Sequence, residues 1–371
     1  MLKLSKSVIG IEEINAVKKV LEKEYLGMGE NVKEFEGLLT SYFKTPVVCV
    51  NTGTSAIHLA LQAIGLGYGD EVLVQSLTYV ATYQAISATG ATAISCEVNP
   101  DTLTIDLKDA KNKLTSRTKA ILPVHYGGGA GDLDGLYSFA KEYNLRVIED
   151  AAHAFGTKYK NKLIGSFGDI CCFSFDGIKN ITSGEGGAVL TKDKNVLEKI
   201  KDARLLGVQK DTDKRYAGKR SWEFDVEYQG WRFHMSNIMA AIGVEQLKKF
   251  PVFKERRQAL AKIYQTQFID FTNIKILNHN YEDIVPHIFT IQVDANKRDE
   301  LKKILDEETI QTGFHYYPNH LLTKFRVDGL LLPLTEGLHK TLVTLPLHPD
   351  LRDEDAVFIS NKIKNFISLQ I

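Results

Sequence analysis

The chain of 371 residues is 44% hydrophobic and 25% charged, an ordinary globular composition, and its length exceeds what one core usually serves, so two domains are expected. Its 46 Lys and Arg balance 46 Asp and Glu, which excludes a nucleic-acid partner of the kind that needs a basic excess on one face. The four cysteines, Cys49, Cys96, Cys171 and Cys172, show neither C-x-x-C nor Cys/His ligand spacing, so reduced, mostly buried thiols are expected and a zinc site is not.

Met1 to Gly10 has no long apolar stretch and no signal-like cleavage site, and no later window approaches a membrane span. A soluble cytoplasmic protein with no membrane partner is expected. Ile11–Glu24 reads as a helix, followed by a turn at Gly27 and Gly29. From about residue 45 to 205, short apolar runs alternate with amphipathic stretches. Val47–Val50, Glu71–Gln75, Thr92–Cys96, Ala120–Val124, Arg146–Ile148, Ile170–Phe175 and Ala188–Thr191 read as strands. Ser55–Ile64, Val80–Ala88 and Leu133–Glu142 read as helices between them. Apolar strands separated by helices predict an α/β fold, a mostly parallel sheet flanked by helices. Such sheets carry their sites at the carboxyl ends of the strands.

A helical pattern then runs from Ser236 to Phe250, and Pro251 is read as a change of direction. The remainder mixes a strand pattern at Val285–Val293 with charged helices at Lys297–Asp306 and Asp353–Phe366. The expected division is a large domain over 1–250, with the N-terminal segment, and a smaller α+β domain over 251–371.

Four strand ends hold the chemistry. Phe173 to Gly187 contains Lys179 in a short connection, then the glycine-rich Gly184-Glu185-Gly186-Gly187. A lysine there can form a Schiff base if desolvation or a nearby cation keeps its amine partly neutral; alone it would read as surface decoration. Arg146 to Ala154 is a buried-type strand ending in Asp150, with His153 beyond it. A carboxylate beneath a pyridine ring keeps the ring nitrogen protonated; the plain alternative is a helix N-cap. In Asn51-Thr52-Gly53-Thr54-Ser55 a strand turns into a helix, whose free N–H groups suit a phosphate; Thr or Ser there can equally be only a cap. Ser174, five residues before Lys179, can donate to the same phosphate, and Tyr79 can stack on a flat ring or simply fill a core. The P-loop, G-x-G-x-x-G, H-E-x-x-H and G-x-S-x-G patterns are absent.

In this order the segments resemble the DegT/DnrJ/StrS-type sugar aminotransferases, a branch of the pyridoxal-phosphate enzymes of fold type I. The resemblance runs nearly end to end. It takes in Glu12-Glu13, Leu26-Gly27-Met28-Gly29, Asn51 to Ser55, Gly69-Asp70-Glu71-Val72, Glu149 to His153, Lys179-Asn180-Ile181-Thr182 with Gly184 to Gly187, His315-Tyr316-Tyr317-Pro318-Asn319-His320 and Leu345 to Pro349. It implies that Lys179 is the Schiff-base lysine and proton shuttle and that Asp150 pairs with the pyridine nitrogen. His153 would lie on the ring's hydroxyl side and Tyr79 would stack. Gly53, Thr54, Ser55 and Ser174 would hold the phosphate. Tyr25, Trp231, His315, Tyr316 and His320 would face substrate. The resemblance also implies a homodimer with shared active sites.

One stretch departs from the family. Where its members read Gly-Tyr-Asn-Tyr-Arg-Met-Ser, this chain has Gly230-Trp231-Arg232-Phe233-His234-Met235-Ser236. The family's asparagine reaches the partner's cofactor phosphate; Arg232 at that position can serve a phosphate as a bidentate donor or bind a substrate anion. The basic run from Lys210 to Arg220 is either a solvated loop or a lid over a diphosphate. The implied activity is transfer of an amino group from L-glutamate to a keto sugar, expected to be a nucleotide-linked keto-deoxysugar. A small phosphorylated ketone or a keto-cyclitol is the alternative acceptor. A dehydratase on this scaffold would replace Lys179 by histidine, and a non-catalytic regulator would have no reason to keep Lys179, Asp150 and the phosphate turn together.

Overall fold

The computed structural model describes residues 1–368. Twelve strands and twelve α-helices are ordered along them. Helices α1 (Ile11–Glu22) and α2 (Glu30–Phe43) precede the sheet. Then come β1 (Val47–Val50), α3 (Gly53–Ala63), β2 (Glu71–Gln75), α4 (Val80–Ala88), β3 (Thr92–Cys96), α5 (Leu107–Asn112), β4 (Thr118–Leu122), α6 (Leu133–Glu142) and β5 (Arg146–Asp150). A hairpin of β6 (Lys158–Tyr159) and β7 (Lys162–Leu163) leads to β8 (Ile170–Ser174), β9 (Gly187–Thr191), α7 (Lys194–Ala203) and α8 (Asp211–Tyr216). The chain ends with α9 (Asn237–Phe268), β10 (Lys275–Ile276), β11 (Phe289–Gln292), α10 (Arg298–Glu307), α11 (Pro333–Thr341), β12 (Leu342–Leu345) and α12 (Asp353–Ser368).

Seven strands form one sheet in the order β1-β9-β8-β5-β4-β2-β3. The pairs β2–β3, β2–β4, β4–β5 and β5–β8 are parallel; β8–β9 and β1–β9 are antiparallel. The sheet is therefore mostly parallel, as expected. Alternate residues of β1 show how its two faces are covered: Val47 and Cys49 join one apolar cluster with α2, while Val48 and Val50 join another with α3. All four cysteines are free and buried. Among the described residues no helix is long and apolar enough to cross a membrane.

Helix α2 lies in a stretch given no element above, although its buried Val32, Phe35, Leu39 and Phe43 recur every three or four residues. The change of direction expected at Pro251 does not occur. Helix α9 runs through that proline without a break for 32 residues. Its first half packs Ala240, Val244 and Phe250 into the core of the large sheet. Its second half packs Leu260, Ala261, Tyr264 and Phe268 against β10–β12 and the C-terminal helices. The N-terminus joins this smaller unit as well: Leu2 bridges to Ile310, and Leu347 N–H donates to Leu4 O at 3.0 Å.

Candidate active site

The carboxyl ends of β1, β2, β5 and β8 open on one cavity of about 460 Å³. Lys179 and Asp150 both line it. Asp150 is the last residue of β5 and is 5% exposed. Its Oδ2 accepts from Thr82 Oγ1 at 2.8 Å and its Oδ1 from Ala152 N–H at 3.1 Å. No helix follows it, so the carboxylate is not an N-cap. Burial pushes the Asp150 carboxyl above its ordinary range, while Thr82, the Ala152 N–H, Lys179 and His125 pull it back. Lys179 sits in the turn after β8, where its N–H donates to Asp176 O at 3.0 Å. Burial pushes its amine down to about 8, against the opposing pull of Asp150 and Asp176; Arg257 adds to the lowering. Near pH 8 this lysine is about half neutral, as a Schiff-base amine must be.

Helix α3 begins at this cavity. Thr52 caps it, its Oγ1 accepting from Ser55 N–H at 3.0 Å, and Ser55 Oγ accepts in return from Thr52 N–H at 3.1 Å. The first N–H groups, at Gly53 and Thr54, have no intrahelical acceptor. Thr54 and Ser174 line the cavity beside them. A Cβ on Gly53 would stand 2.7 Å from Ser174 Cβ, so only glycine lets this turn approach Ser174 so closely. Ser55 departs from expectation. Its hydroxyl also donates to Asn51 Oδ1 at 2.7 Å, and the residue is buried outside the cavity wall. Ser55 caps the helix instead of contributing a hydroxyl to the phosphate.

The opposite wall brings His153, Tyr316, His287 and His315 together. Tyr316 Oη and His153 Nε2 are 2.8 Å apart. His315 Nδ1 lies 2.8 Å from Thr344 Oγ1. Burial, with Lys179, His315 and His125 nearby, holds His153 well below the ordinary imidazole range. Tyr79, 60% exposed, stands at the mouth with its ring centroid 5.8 Å from that of Tyr316. Its face is free to stack.

Other expected residues lie elsewhere. Trp231 packs inward, its ring stacked on Phe233 at 5.5 Å and tilted over His58 at 5.0 Å, with Nε1 donating to Gln62 Oε1 at 2.7 Å. It is part of the packing and not a substrate contact in this chain's cavity. His320 is 2% exposed; its Nδ1 is 2.7 Å from Ser76 Oγ and its Nε2 3.1 Å from Glu336 Oε1. It braces the turn that carries Tyr79 and does not line the cavity. Tyr25 and Arg232 also stand outside the wall. Tyr25 O accepts from Asn237 Nδ2 at 2.9 Å. Arg232 is exposed, on a segment whose backbone bridges to Leu205. In the basic run, Arg215 is paired with Asp211 at 2.5 Å within α8.

Thr82, Asp176, Glu185 and His287 belong to the wall and were not anticipated. Thr82 had a signal: it follows Thr78 by one helical turn just past a strand end. His287 had none, because the fold alone brings the start of β11 to this place.

The wall fits pyridoxal phosphate. A partly neutral lysine, a buried carboxylate, unpaired N–H groups at a glycine-tight helix start and a buried imidazole whose Nδ1 has no protein partner match its carbonyl, ring nitrogen, phosphate and ring oxygen. Residues 7–364 match the DegT/DnrJ/EryC1/StrS aminotransferase family. The chain is 36% identical to the spore coat polysaccharide biosynthesis protein SpsC of Bacillus subtilis, covering 99% of this chain and 97% of that one. It superposes on the sugar aminotransferase CalS13 of Micromonospora echinospora with a TM-score of 0.90, at 28% identity over 98% of this chain and 100% of that one. It also superposes on ntda of Bacillus subtilis with bound cofactor PMP, the amine form of pyridoxal phosphate, with a TM-score of 0.85, at 30% identity over 95% and 82% of the two chains. The chain thus belongs to the DegT/DnrJ/EryC1/StrS family, matched over nearly its whole length, and is a pyridoxal-phosphate-dependent aminotransferase acting in sugar chemistry.

Proposed function

We propose that the enzyme moves an amino group from L-glutamate to a nucleotide-linked keto-deoxysugar, as a cytoplasmic homodimer. The observation that carries this reading is Lys179, with its amine near half neutrality, sharing one cavity with Asp150 and the start of α3. When bound, pyridoxal phosphate supplies the carbonyl for the Schiff base and a ring that takes up an electron pair. Lys179 holds and moves the proton at its Nζ in both half-reactions. Asp150, hydrogen-bonded by Thr82 and Ala152, keeps a negative charge beneath the ring nitrogen. Thr54, Ser174 and the α3 N–H groups bind the phosphate, and Tyr79 covers the ring and excludes water.

Arg232, exposed and outside its own cavity, is assigned to the partner subunit's cofactor phosphate. His234 stands where relatives carry an arginine; burial and the nearby Arg232, Arg204 and Arg215 push its imidazole down to about 4, so it adds no charge there at neutral pH. The likeness to SpsC supports an aminosugar destined for polysaccharide.

The test is the visible absorption of the purified holoenzyme before and after L-glutamate, followed by keto acceptors with and without a nucleotide. A yellow band bleached by glutamate and restored by a nucleotide-linked keto sugar is the expected result. A band that glutamate leaves unchanged removes it as donor. Restoration only by a phosphorylated ketone or a keto-cyclitol removes the nucleotide.

A further inference from the structure

Tyr316 is a cavity residue whose hydroxyl is paired with an imidazole of the same wall. Among the described residues its hydroxyl hydrogen-bonds only to His153 Nε2, at 2.8 Å. The two rings lie 5.9 Å apart at 32°, and His153 also packs on His287 at a centroid distance of 4.4 Å. His153 is 4% exposed, and its Nδ1 is buried without a protein partner. A neutral imidazole has one donor and one acceptor nitrogen. A phenol with a single neighbour gives its proton to that neighbour's lone pair, and imidazole nitrogen is a far better acceptor than phenol oxygen. The proton of His153 therefore sits on Nδ1.

We infer that Tyr316 is a positioning residue that fixes His153 as its Nδ1–H tautomer, so that this nitrogen is a preset donor to the ring oxygen of pyridoxal phosphate. The inference rests on the cofactor reading above and replaces the substrate contact expected of Tyr316. The surroundings leave no competing charge state. Burial, with Lys179, His315 and His125, keeps the imidazole neutral, and burial, with Tyr126 and Asp150, keeps the phenol protonated.

A hydrogen bond to an anionic oxygen lowers its basicity, so losing that bond raises the pH at which the lysine-bound chromophore changes colour. In the holoenzyme, Tyr316→Phe is expected to raise the midpoint of that spectral titration by roughly half to one pH unit. In a His153→Asn background the same change is expected to add nothing, since Tyr316 acts only through His153. An unchanged midpoint in the single variant, or an equal shift in both backgrounds, overturns the inference. A second measurement needs neither cofactor nor turnover: imidazole nitrogen shifts of His153 in isotope-labelled apo-protein. Expected are a protonated Nδ1 in the native chain and mixed tautomers in Tyr316→Phe. A protonated Nε2 in the native chain overturns the inference, whatever glutamate does to the holoenzyme.

Discussion

Lys179 is pulled two ways: burial drives its proton off while Asp150 and Asp176 hold it on. The outcome near 8 sets a testable pH dependence. The neutral amine is the nucleophile, so the rate at which apo-protein captures pyridoxal phosphate should rise with pH and level off above about 8. An ordinary lysine would still gain roughly tenfold per unit between about pH 8 and 9 and level off only above about 10, and stopped-flow absorbance that showed such a climb would refute the perturbed amine. Lys179→Ala should leave no measurable turnover, because attachment and proton shuttle are lost together; native-like turnover would remove Lys179 from the chemistry. Asp150 and Lys179 were singled out in the sequence, Asp150 as the end of a buried-type strand and Lys179 in the turn five residues after one, and it was the two together that pointed to one chemistry. The residues that do not line this chain's cavity differ in kind. Ser55, Trp231 and His320 have plausible chemistry, but a hydroxyl, an indole and an imidazole serve packing and capping equally well, and only their neighbours decide.

The turn after β2 shows how one element is held by another. Asn319 Nδ2 donates to Ser76 O at 3.1 Å and to Thr78 O at 2.7 Å, and His320 links Ser76 to Glu336. Thr78 Oγ1 is 3.0 Å from Thr82 Oγ1, which donates to Asp150. A segment from the C-terminal part of the chain thus fixes the turn that presents Tyr79 and, through Thr82, the carboxylate. His320→Ala should cost about 1–3 kcal/mol of stability, because it leaves buried Ser76 without its imidazole partner. It should also weaken cofactor retention several-fold. Denaturant titration and equilibrium dialysis check the two effects, and a stability loss with unchanged retention would separate the brace from Tyr79. Most sheet strands and their helices were readable to within one or two residues, because apolar runs between helices have few other solutions. Helix α9 was not, because proline ordinarily interrupts a helix, yet here packing on both sides of Pro251 carries it through.

For the molecule as a whole, the cavity wall is short of positive charge. Among its described residues Lys179 is the only lysine or arginine, and that amine is partly neutral, whereas the cofactor phosphate and a nucleotide diphosphate are both anionic. If Arg232 supplies the missing charge across a dimer, two inactive variants should rescue each other. Mixing Lys179→Ala with Arg232→Ala subunits gives hybrids with one doubly damaged and one intact site, so about a quarter of native activity should return after random reassortment. Activity that stays at the level of the separate variants would confine Arg232 to its own subunit. Helix α9 carries a different consequence. Because one rod is rooted in both hydrophobic cores, the chain has no natural seam at residue 250, and cutting there would break α9 in mid-helix and sever the rod that joins the two cores. Gene fusions, split-protein designs and circular permutations of this enzyme should place their joints in exposed turns such as that at Gly218 and leave this spine whole.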